Sequence, residues 1–470
     1  MSFQGILPAD EGRSFSYINT SAWVTPPADL CPALVGDIRP DVVIVGGGYT
    51  GLNAALVLKK RGVDVVLLEM GFCGSGASGR NAGHLAPTMG RNLPSLVQQV
   101  GKERAAQLMR FNDRSVHTVE ETLINYQIDC DYEPVGNITC GVHAGHRDLV
   151  TQTAALADGL GVDVSFLTEQ EMRQRRLPEA FQFGVLDPRG GHLNPGKYVM
   201  GLRRAALAAG VRIFENTRVT RIDETQVPVL VTTDTGSVRA DKAIIASNGY
   251  TPVSLGRLKS KIFPIRVTLF RTAPLTSQQL ETLGWTGRQG IITGHSAIEH
   301  YRLTADNRIL GGSKHVQYRY GSRLADGYQP SVFDRFTRLV TERFPELPDL
   351  QIEAFWGGWI GMTPDFLPLS FSNRRGNLYY GMGYNGHGIA HATSNGRMLA
   401  DQVLGRTNED VDLFRRWMIP LPPEPLRWLA LNGMKRHYER ADQAVDTDLR
   451  RAQAGRRNVK PELTKPKSID

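Results

Sequence analysis

Cysteine is scarce in this chain: four in 470 residues, Cys31, Cys73, Cys130 and Cys140. None forms a CxxC pair, so the spacing of a zinc site is absent and no metal is expected. Four scattered thiols in so long a chain fit reduced cysteines in the cytoplasm, not a disulfide framework. No apolar run approaches the ~20 residues of a membrane span. The segment Met1–Asp10 lacks a basic stretch followed by an apolar one, and so does not read as a secretory signal. There is no internal repeat and no nucleic-acid-binding motif. The formal net charge of +8 is therefore not read as a nucleic-acid footprint. Much of it crowds the C-terminal end, at Arg415, Arg416, Arg427, Lys435, Arg436, Arg440 and the run Arg450–Lys467. That reads as a locally basic extension, and peripheral contact with a membrane surface stays open.

What is present suits a packed enzyme of more than one domain: 41% of residues are hydrophobic and 22% charged. Residues Ser2–Pro40 read as an arm without sustained period. Asp41–Val45 is an apolar run of strand length that ends in glycines, Tyr49–Arg61 has helical spacing, and Val63–Glu69 is a second strand. Together they make a β-α-β unit. Further on, a helix is expected at Pro195–Ala209, a hairpin at Val229–Asp241 turning at Asp234-Thr-Gly236, and a buried strand at Ala243–Ser247. Strands dominate Ile262–Tyr320, and Ile389–Leu404 is an amphipathic helix. Beyond Gly405 lies an extension in which Pro420, Pro422, Pro423 and Pro425 interrupt any long helix; from about Arg450 it is expected to be disordered.

The sequence Gly46-Gly-Gly48-Tyr-Thr-Gly51 matches G-x-G-x-x-G in the context that gives the pattern meaning. A strand precedes it, a helix follows, and Glu69 closes the next strand about 20 residues on. Gly46 allows the tight turn, Gly48 lets the backbone approach a pyrophosphate, and Gly51 lets the helix lie close to the strand. The helix N-terminus offers N–H groups and a positive dipole to phosphates, and Glu69 can accept from a ribose diol. This unit alone does not separate FAD from NAD. Two later stretches favour FAD. Gly74–Gly83 can wrap amides around a second section of an extended cofactor, with Arg80 adding charge. Gly381–Gly388 leads straight into the helix at Ile389, whose N-terminus would stabilise the negative charge of a reduced flavin.

Five stretches, at 42–56, 67–83, 244–252, 356–368 and 379–401, together resemble the D-amino-acid-oxidase-like FAD oxidoreductases, the superfamily of glycine and sarcosine oxidases. The γ-glutamylputrescine oxidoreductase-like branch is the most similar, down to the arm and the 420–442 extension. The resemblance implies an α/β plus α+β protein with a Rossmann-type FAD-binding domain, discontinuous over 40–118, 187–260 and 353–405. An antiparallel-sheet substrate domain takes 119–186 and 261–352, between an arm at 1–39 and an extension at 406–470. Carried over residue by residue, Gly46, Gly48, Tyr49, Thr50, Gly51, Glu69 and Met70 would hold the ADP half, with Val219 clamping adenine by its backbone. Ser78, Arg80, Asn81, Ala82 and Gly83 would sit at the pyrophosphate and flavin. Asn248, Gly249, Gly361 and Gly383 would approach from strand ends, and Gly386, His387, Gly388 and Ile389 would lie under the isoalloxazine. No cysteine follows Cys140, and Asn81 stands where some relatives carry a tethering histidine, so non-covalent FAD is expected.

The implied activity is oxidation of a small amine or amino acid to an imine by hydride transfer to flavin, followed by hydrolysis. Electrons then pass to oxygen or another acceptor. Such chemistry needs positioning more than acid–base groups. Arg266 could pair with a substrate carboxylate, as could Arg302 beside Tyr301. Trp356 and Trp359 could wall the pocket, and His84 could line the flavin face. Arg308 and Lys314 fall near the segment where some relatives carry a base beside flavin N5. Three rival readings remain. One is a dehydrogenase of the same fold that serves a quinone or carrier protein and docks on a membrane through the extension bearing Trp417 and Trp428. The others are a flavin-binding protein without turnover and an FAD enzyme acting on an alcohol or hydroxy acid.

Overall fold

A computed structural model of the chain describes residues 6–7, 15–251, 260–325 and 329–458. Its first sheet has six strands in the order Arg212–Phe214, Val65–Leu68, Val42–Val45, Lys242–Ile245, Leu378–Met382 and Leu369–Ser372. Neighbours run parallel except at the last edge, where Leu369–Ser372 turns back on Leu378–Met382. The central strands read VVIV and VVLL and are buried throughout, as a parallel sheet covered on both faces requires. Helices Tyr49–Lys60 and Gly388–Val403 pack against each other. Their closeness depends on Gly396, where a Cβ would meet the Thr50 carbonyl at 2.5 Å. Gly51 plays the same part between helix and strand, with its Cβ position 2.0 Å from the Gly46 carbonyl.

A ten-stranded, largely antiparallel sheet forms the second half. Its centre is the long pair Phe263–Thr272 and Ile352–Met362, in register from Phe263 opposite Met362 to Phe270 opposite Phe355. Alternation along these strands decides what faces the site. One face carries Phe270 and Phe355 into a core with Phe333 and Phe336 of helix Pro330–Arg343. The other carries Ile265, Val267, Gly358, Ile360 and Met362 toward a cavity. Strand Ile352–Met362 thus belongs by its hydrogen bonds to the substrate sheet, although most of it lies in the segment assigned to the FAD half. The arm also contributes: Ser16–Ile18 pairs with Ile352–Met362, and Gly36–Ile38 extends the hairpin sheet of Val219–Ala240.

The extension departs from expectation. Residues Leu426–Asn458 form one helix of 33 residues. The four prolines do not interrupt it because all precede its first full turn, where a missing N–H costs nothing. The helix continues past Arg450 to Asn458. One stripe, Leu431, Lys435, Tyr438, Asp442 and Asp446, is more buried than the intervening positions, which is why the helix persists. The tail from residue 459 lies outside the described residues.

Candidate active site

A cavity of about 400 Å³ lies between the two sheets. Two helix N-termini border it. Helix Tyr49–Lys60 begins at Gly48 without a side-chain cap, and helix Gly388–Val403 begins at His387, also without one. Apart from the Tyr49 N–H, which donates to Ser78 Oγ, their first-turn amides and dipoles are left to whatever occupies the cavity. Of the positions expected to hold cofactor, the walls include Gly46, Gly48, Tyr49, Thr50, Glu69, Met70, Ser78, Arg80, Asn81, Ala82, Gly83, Val219, Asn248, Gly386, His387, Gly388 and Ile389.

These positions are held in place by specific bonds. Glu69 Oε2 accepts from Gly47 N at 2.7 Å and its Oε1 from Gly71 N at 3.0 Å and Ser75 Oγ at 3.4 Å, which pins the glycine turn and leaves Oε2 a lone pair for a diol. Burial raises the Glu69 carboxyl above its usual range, against these bonds. Ser78 Oγ accepts from Tyr49 N at 3.0 Å, joining the second glycine-rich loop to the first helix. The Arg80 guanidinium donates to the carbonyls of Ser75, Asn19 and Gly357, so it braces the loop against the arm and the antiparallel sheet. Asn81 is fully engaged within its own loop: its amide donates to the Ala77 and Ser78 carbonyls, and its Oδ1 accepts from Gly83 N.

Four expected glycines lie behind the wall. Gly51 and Gly249 are packing positions: a Cβ on Gly249 would sit 2.9 Å from Gly361 N. Gly361 and Gly383 make room for Asn248 and Thr363. Asn248 links them, accepting from Gly383 N at 2.8 Å. They shape the cofactor side without touching its cavity.

On the substrate side, the expected residues separate. His84 and Lys314 line the cavity; Arg266, Tyr301, Arg302, Arg308, Trp356 and Trp359 do not. Arg266 and Trp359 are paired across strands on the face turned away from the cavity. Arg266 donates to Tyr17 Oη there at 2.5 Å, so it is no carboxylate anchor for this cavity. Tyr301 is fully buried in the core, its hydroxyl donating to Glu299 Oε2 at 2.9 Å. Arg302 lies beneath the cofactor loop, donating to the carbonyls of Ala82 and Leu193 and stacking over Trp23. Burial lowers its guanidinium to about 10. Trp356 supports the same loop from the cavity-facing side of its strand, donating from Nε1 to the Arg80 carbonyl. Arg308 pairs with Asp306 and Glu353.

Sequence reasoning missed three parts of the wall. His300 faces His84 edge-on, ring centroids 5.3 Å apart. Desolvation lowers His84 to about 4, takes His300 well below its ordinary value and lowers His387 as well. Apolar residues such as Phe263, Ile298, Val316 and Met362 surround them. The C-terminal helix closes the site with Leu431, Asn432, Met434, Lys435 and Tyr438. Only the strand alternation around His300 carried a signal for these residues in the sequence.

Behind Lys314 lies a buried ionic cluster. Glu299 pairs with Lys314 and Arg343, and Asp446 of the C-terminal helix pairs with the same two cations. Ligand atoms of His295, Glu299 and Asp446 lie within 4.8 Å of one another, but the protein's own cations supply the positive charge at that point. Against desolvation, Arg343 and Lys314 hold the Glu299 carboxyl well below the usual range, and His295 together with Lys314 and Arg343 does the same for Asp446.

A parallel sheet with a glycine turn, joined to an antiparallel sheet across a cavity bordered by two helix N-termini, defines a dinucleotide-binding oxidoreductase. The chain belongs to the FAD-dependent oxidoreductase family, whose model matches residues 41–402. It is 31% identical to the gamma-glutamylputrescine oxidoreductase of Escherichia coli (strain K12), over 83% of this chain and 89% of that one. It is 30% identical to a probable oxidoreductase, OrdL, of Rhizobium meliloti (strain 1021), over 86% and 92%. Its fold matches the glycine oxidase of Geobacillus kaustophilus with a TM-score of 0.68 at 21% identity, covering 81% of this chain and 99% of that structure. The cradle fits FAD on its own geometry: side chains are missing where the backbone must approach, and uncapped helix ends await negative charge.

Proposed function

We propose that the protein oxidises a C–N bond of a small amine or amino acid, giving an imine that hydrolyses to a carbonyl and an amine or ammonia. FAD, bound non-covalently, supplies the hydride acceptor. The observation that carries this reading is the pair His84 and His300, buried side by side in an apolar wall. Asn137 donates its amide to the carbonyls of Leu85 and Gly191, so its Oδ1 must accept from His84 Nδ1. His84 Nε2 is then the lone-pair nitrogen, and neither it nor His300 Nδ1 has a hydrogen-bond partner. At neutral pH both rings are uncharged, and His84 Nε2 suits a substrate N–H donor. The apolar surroundings disfavour an ammonium and so favour the neutral amine that loses hydride.

No cysteine stands among the lining residues, and Asn81 is committed to its loop, which supports a releasable flavin. The four free thiols suit a cytoplasmic enzyme. The test is anaerobic mixing of the holoprotein with primary amines, N-methyl amino acids, γ-glutamyl amines and 2-hydroxy acids. Bleaching of the flavin by amines alone is expected; bleaching by hydroxy acids alone, or by nothing, overturns the reading.

A second reading concerns the acceptor. Trp417, Ile419, Leu426 and Leu429 are exposed, at 82%, 70%, 58% and 55%. With Arg415, Arg436 and Arg440 nearby in sequence, they favour a dehydrogenase that docks on an anionic membrane and reduces a quinone. No helix among the described residues is long and apolar enough to cross a membrane. Co-sedimentation with anionic liposomes and quinone-dependent turnover would support this; fast oxygen consumption without either supports an oxidase.

A further inference from the structure

The structure assigns the C-terminal helix the role of recognising the far end of the substrate, with Lys435 as the cation that binds a carboxylate distal to the reacting nitrogen. This rests on the amine-oxidising reading for the reaction but on separate residues for the binding. Among the described residues, four lysines and arginines line the cavity: Arg80, Arg218, Lys314 and Lys435. Three are committed. Arg80 spends its guanidinium on the carbonyls of Ser75, Asn19 and Gly357. Arg218 forms a two-bond pair with Asp234. Lys314 is held by Glu299 at 2.5 Å and Asp446 at 2.8 Å. Among the described residues Lys435 pairs only with Glu439 on its own helix, at 3.6 Å with both side chains about a third exposed. Such a pair is weak and easily exchanged for a substrate anion.

The helix bearing Lys435 is locked in place. One turn beyond Tyr438, the Asp442 carboxylate accepts from the backbone of Ser296 and Ala297 at 2.8 and 2.9 Å. One turn further, Asp446 enters the buried cluster with Lys314 and Arg343. Two successive inward carboxylates thus fix the register that brings Asn432, Lys435 and Tyr438 to the cavity, and Ser296 and Ala297 are themselves in its wall. The histidine end is apolar and uncharged, so it suits the neutral nitrogen. A carboxylate there would lie unpaired among apolar side chains. Polarity therefore orients the substrate: nitrogen toward His84 and His300, anion toward Lys435. The two groups stand on different elements of the wall, His300 on strand Glu299–Leu303 and Lys435 on the C-terminal helix, so the fitting class is an ω-amino acid or a γ-glutamyl amine and not a short α-amino acid.

The experiment compares wild type, Lys435→Met and Lys435→Arg as holoproteins. Probe pairs are γ-glutamylputrescine with N-acetylputrescine, and 4-methylaminobutanoate with N-methylbutylamine. Anaerobic flavin reduction is followed at varied concentration, and glutarate, an unreactive dicarboxylate, is titrated by calorimetry. Lys435→Met should reduce the preference for the carboxylated member about ten-fold, through half-saturation and not through limiting rate. It should weaken glutarate to the same degree, and Lys435→Arg should keep most of both. If amines bleach the flavin but Lys435→Met treats each pair and glutarate as wild type does, the inference is overturned and the reaction stands. If no amine bleaches the flavin but glutarate binding depends on Lys435, the anion site stands and the reaction does not. Glutarate binding to neither protein, with no amine preference, overturns the site.

Discussion

The two sides of the cavity recognise by different means. On the cofactor side, recognition is by backbone. Gly46, Gly48, Gly386 and Gly388 keep side chains out of the wall, and two helix ends border it without side-chain caps of their own. On the substrate side, recognition is by side chains that alternate along antiparallel strands or stand on one stripe of a helix. The first kind of surface fails when atoms are added, the second when they are removed. The two sides should therefore respond to opposite kinds of substitution.

The largest effect is expected on the cofactor side. A Cβ on Gly48 would lie 2.8 Å from Ser78 Oγ, the atom that accepts from Tyr49 N. Gly48→Val should therefore displace the loop, fill the pyrophosphate's place and abolish FAD binding, with the protein purified colourless. In the unsubstituted protein, acid precipitation should release the flavin to the supernatant. A yellow Gly48→Val protein would place the phosphates elsewhere.

Removing atoms should be costly behind the substrate side. Asp446→Ala leaves Lys314 and Arg343 sharing one carboxylate in a buried cluster. A loss of about 3–5 kcal/mol in unfolding free energy is expected, read from the urea midpoint. Asp446→Asn should lose less, since the amide oxygen can still accept. Because the C-terminal helix is anchored here, limited proteolysis should cut it first in the alanine variant. An unchanged midpoint and proteolytic pattern would mean that the helix is held by other contacts.

Acid should distinguish the two groups of buried charges. His84 titrates near 4 when folded, below the ordinary imidazole value of about 6.5, because burial penalises its cation. The unfolded chain therefore binds the proton first. Stability from keeping this ring neutral is complete above pH about 6.5 and is lost as pH falls toward 4, by about 3 kcal/mol in all. Glu299 and Asp446 are depressed carboxylates, so their contribution persists through that window and fades only below about pH 4. His84→Asn should reduce the slope between pH 6.5 and 4 by one proton's share, the rest coming from histidines such as His146 and His315, also lowered to about 4, and should leave the fall below pH 4 in place. A single fall confined to pH below 4, with none between 6.5 and 4, would contradict the buried neutral histidine.

The same contrast explains what could be read from the residues alone. The glycine turn at 46–51, the second loop at 74–83 and the helix entry at 381–388 are local in sequence, because a backbone cradle is made by consecutive residues. They were legible, and most of their positions reach the cavity. Arg266, Tyr301 and Trp359 were candidates by residue type, but a strand shows alternate residues to opposite faces, and the face is settled by register with Ile352–Met362 and by helix Pro330–Arg343 behind it. One residue's difference along the strand separates Arg266 from Val267, the core from the cavity. The C-terminal helix was obscured for a different reason. Its prolines and charges suggested interruption and disorder, whereas its inward stripe is held by Asp442 and Asp446 against groups more than 100 residues distant in sequence.

Tyr301 gives the smallest and sharpest test of that lesson. As a pocket residue its hydroxyl would hold substrate, and Tyr301→Phe would raise KM. In the structure it instead donates to Glu299 Oε2, which also accepts from Arg343 Nε at 2.8 Å. Removing the hydroxyl deletes one bond to a charged acceptor and leaves that acceptor paired, so the expected cost is about 1–2 kcal/mol of stability. The phenyl ring keeps its contacts with Phe181 and Phe344 and opens no cavity. KM and the limiting rate of flavin reduction should both stay within about two-fold of wild type, since stability lost in a buried core need not alter a formed site. A large rise in KM at unchanged stability would bring Tyr301 to the substrate and imply that the strand Glu299–Leu303 presents its other face. His300 and Arg302 would then leave the positions they hold beside His84 and Ala82, so parallel loss of flavin affinity in Arg302→Met would decide between the two faces.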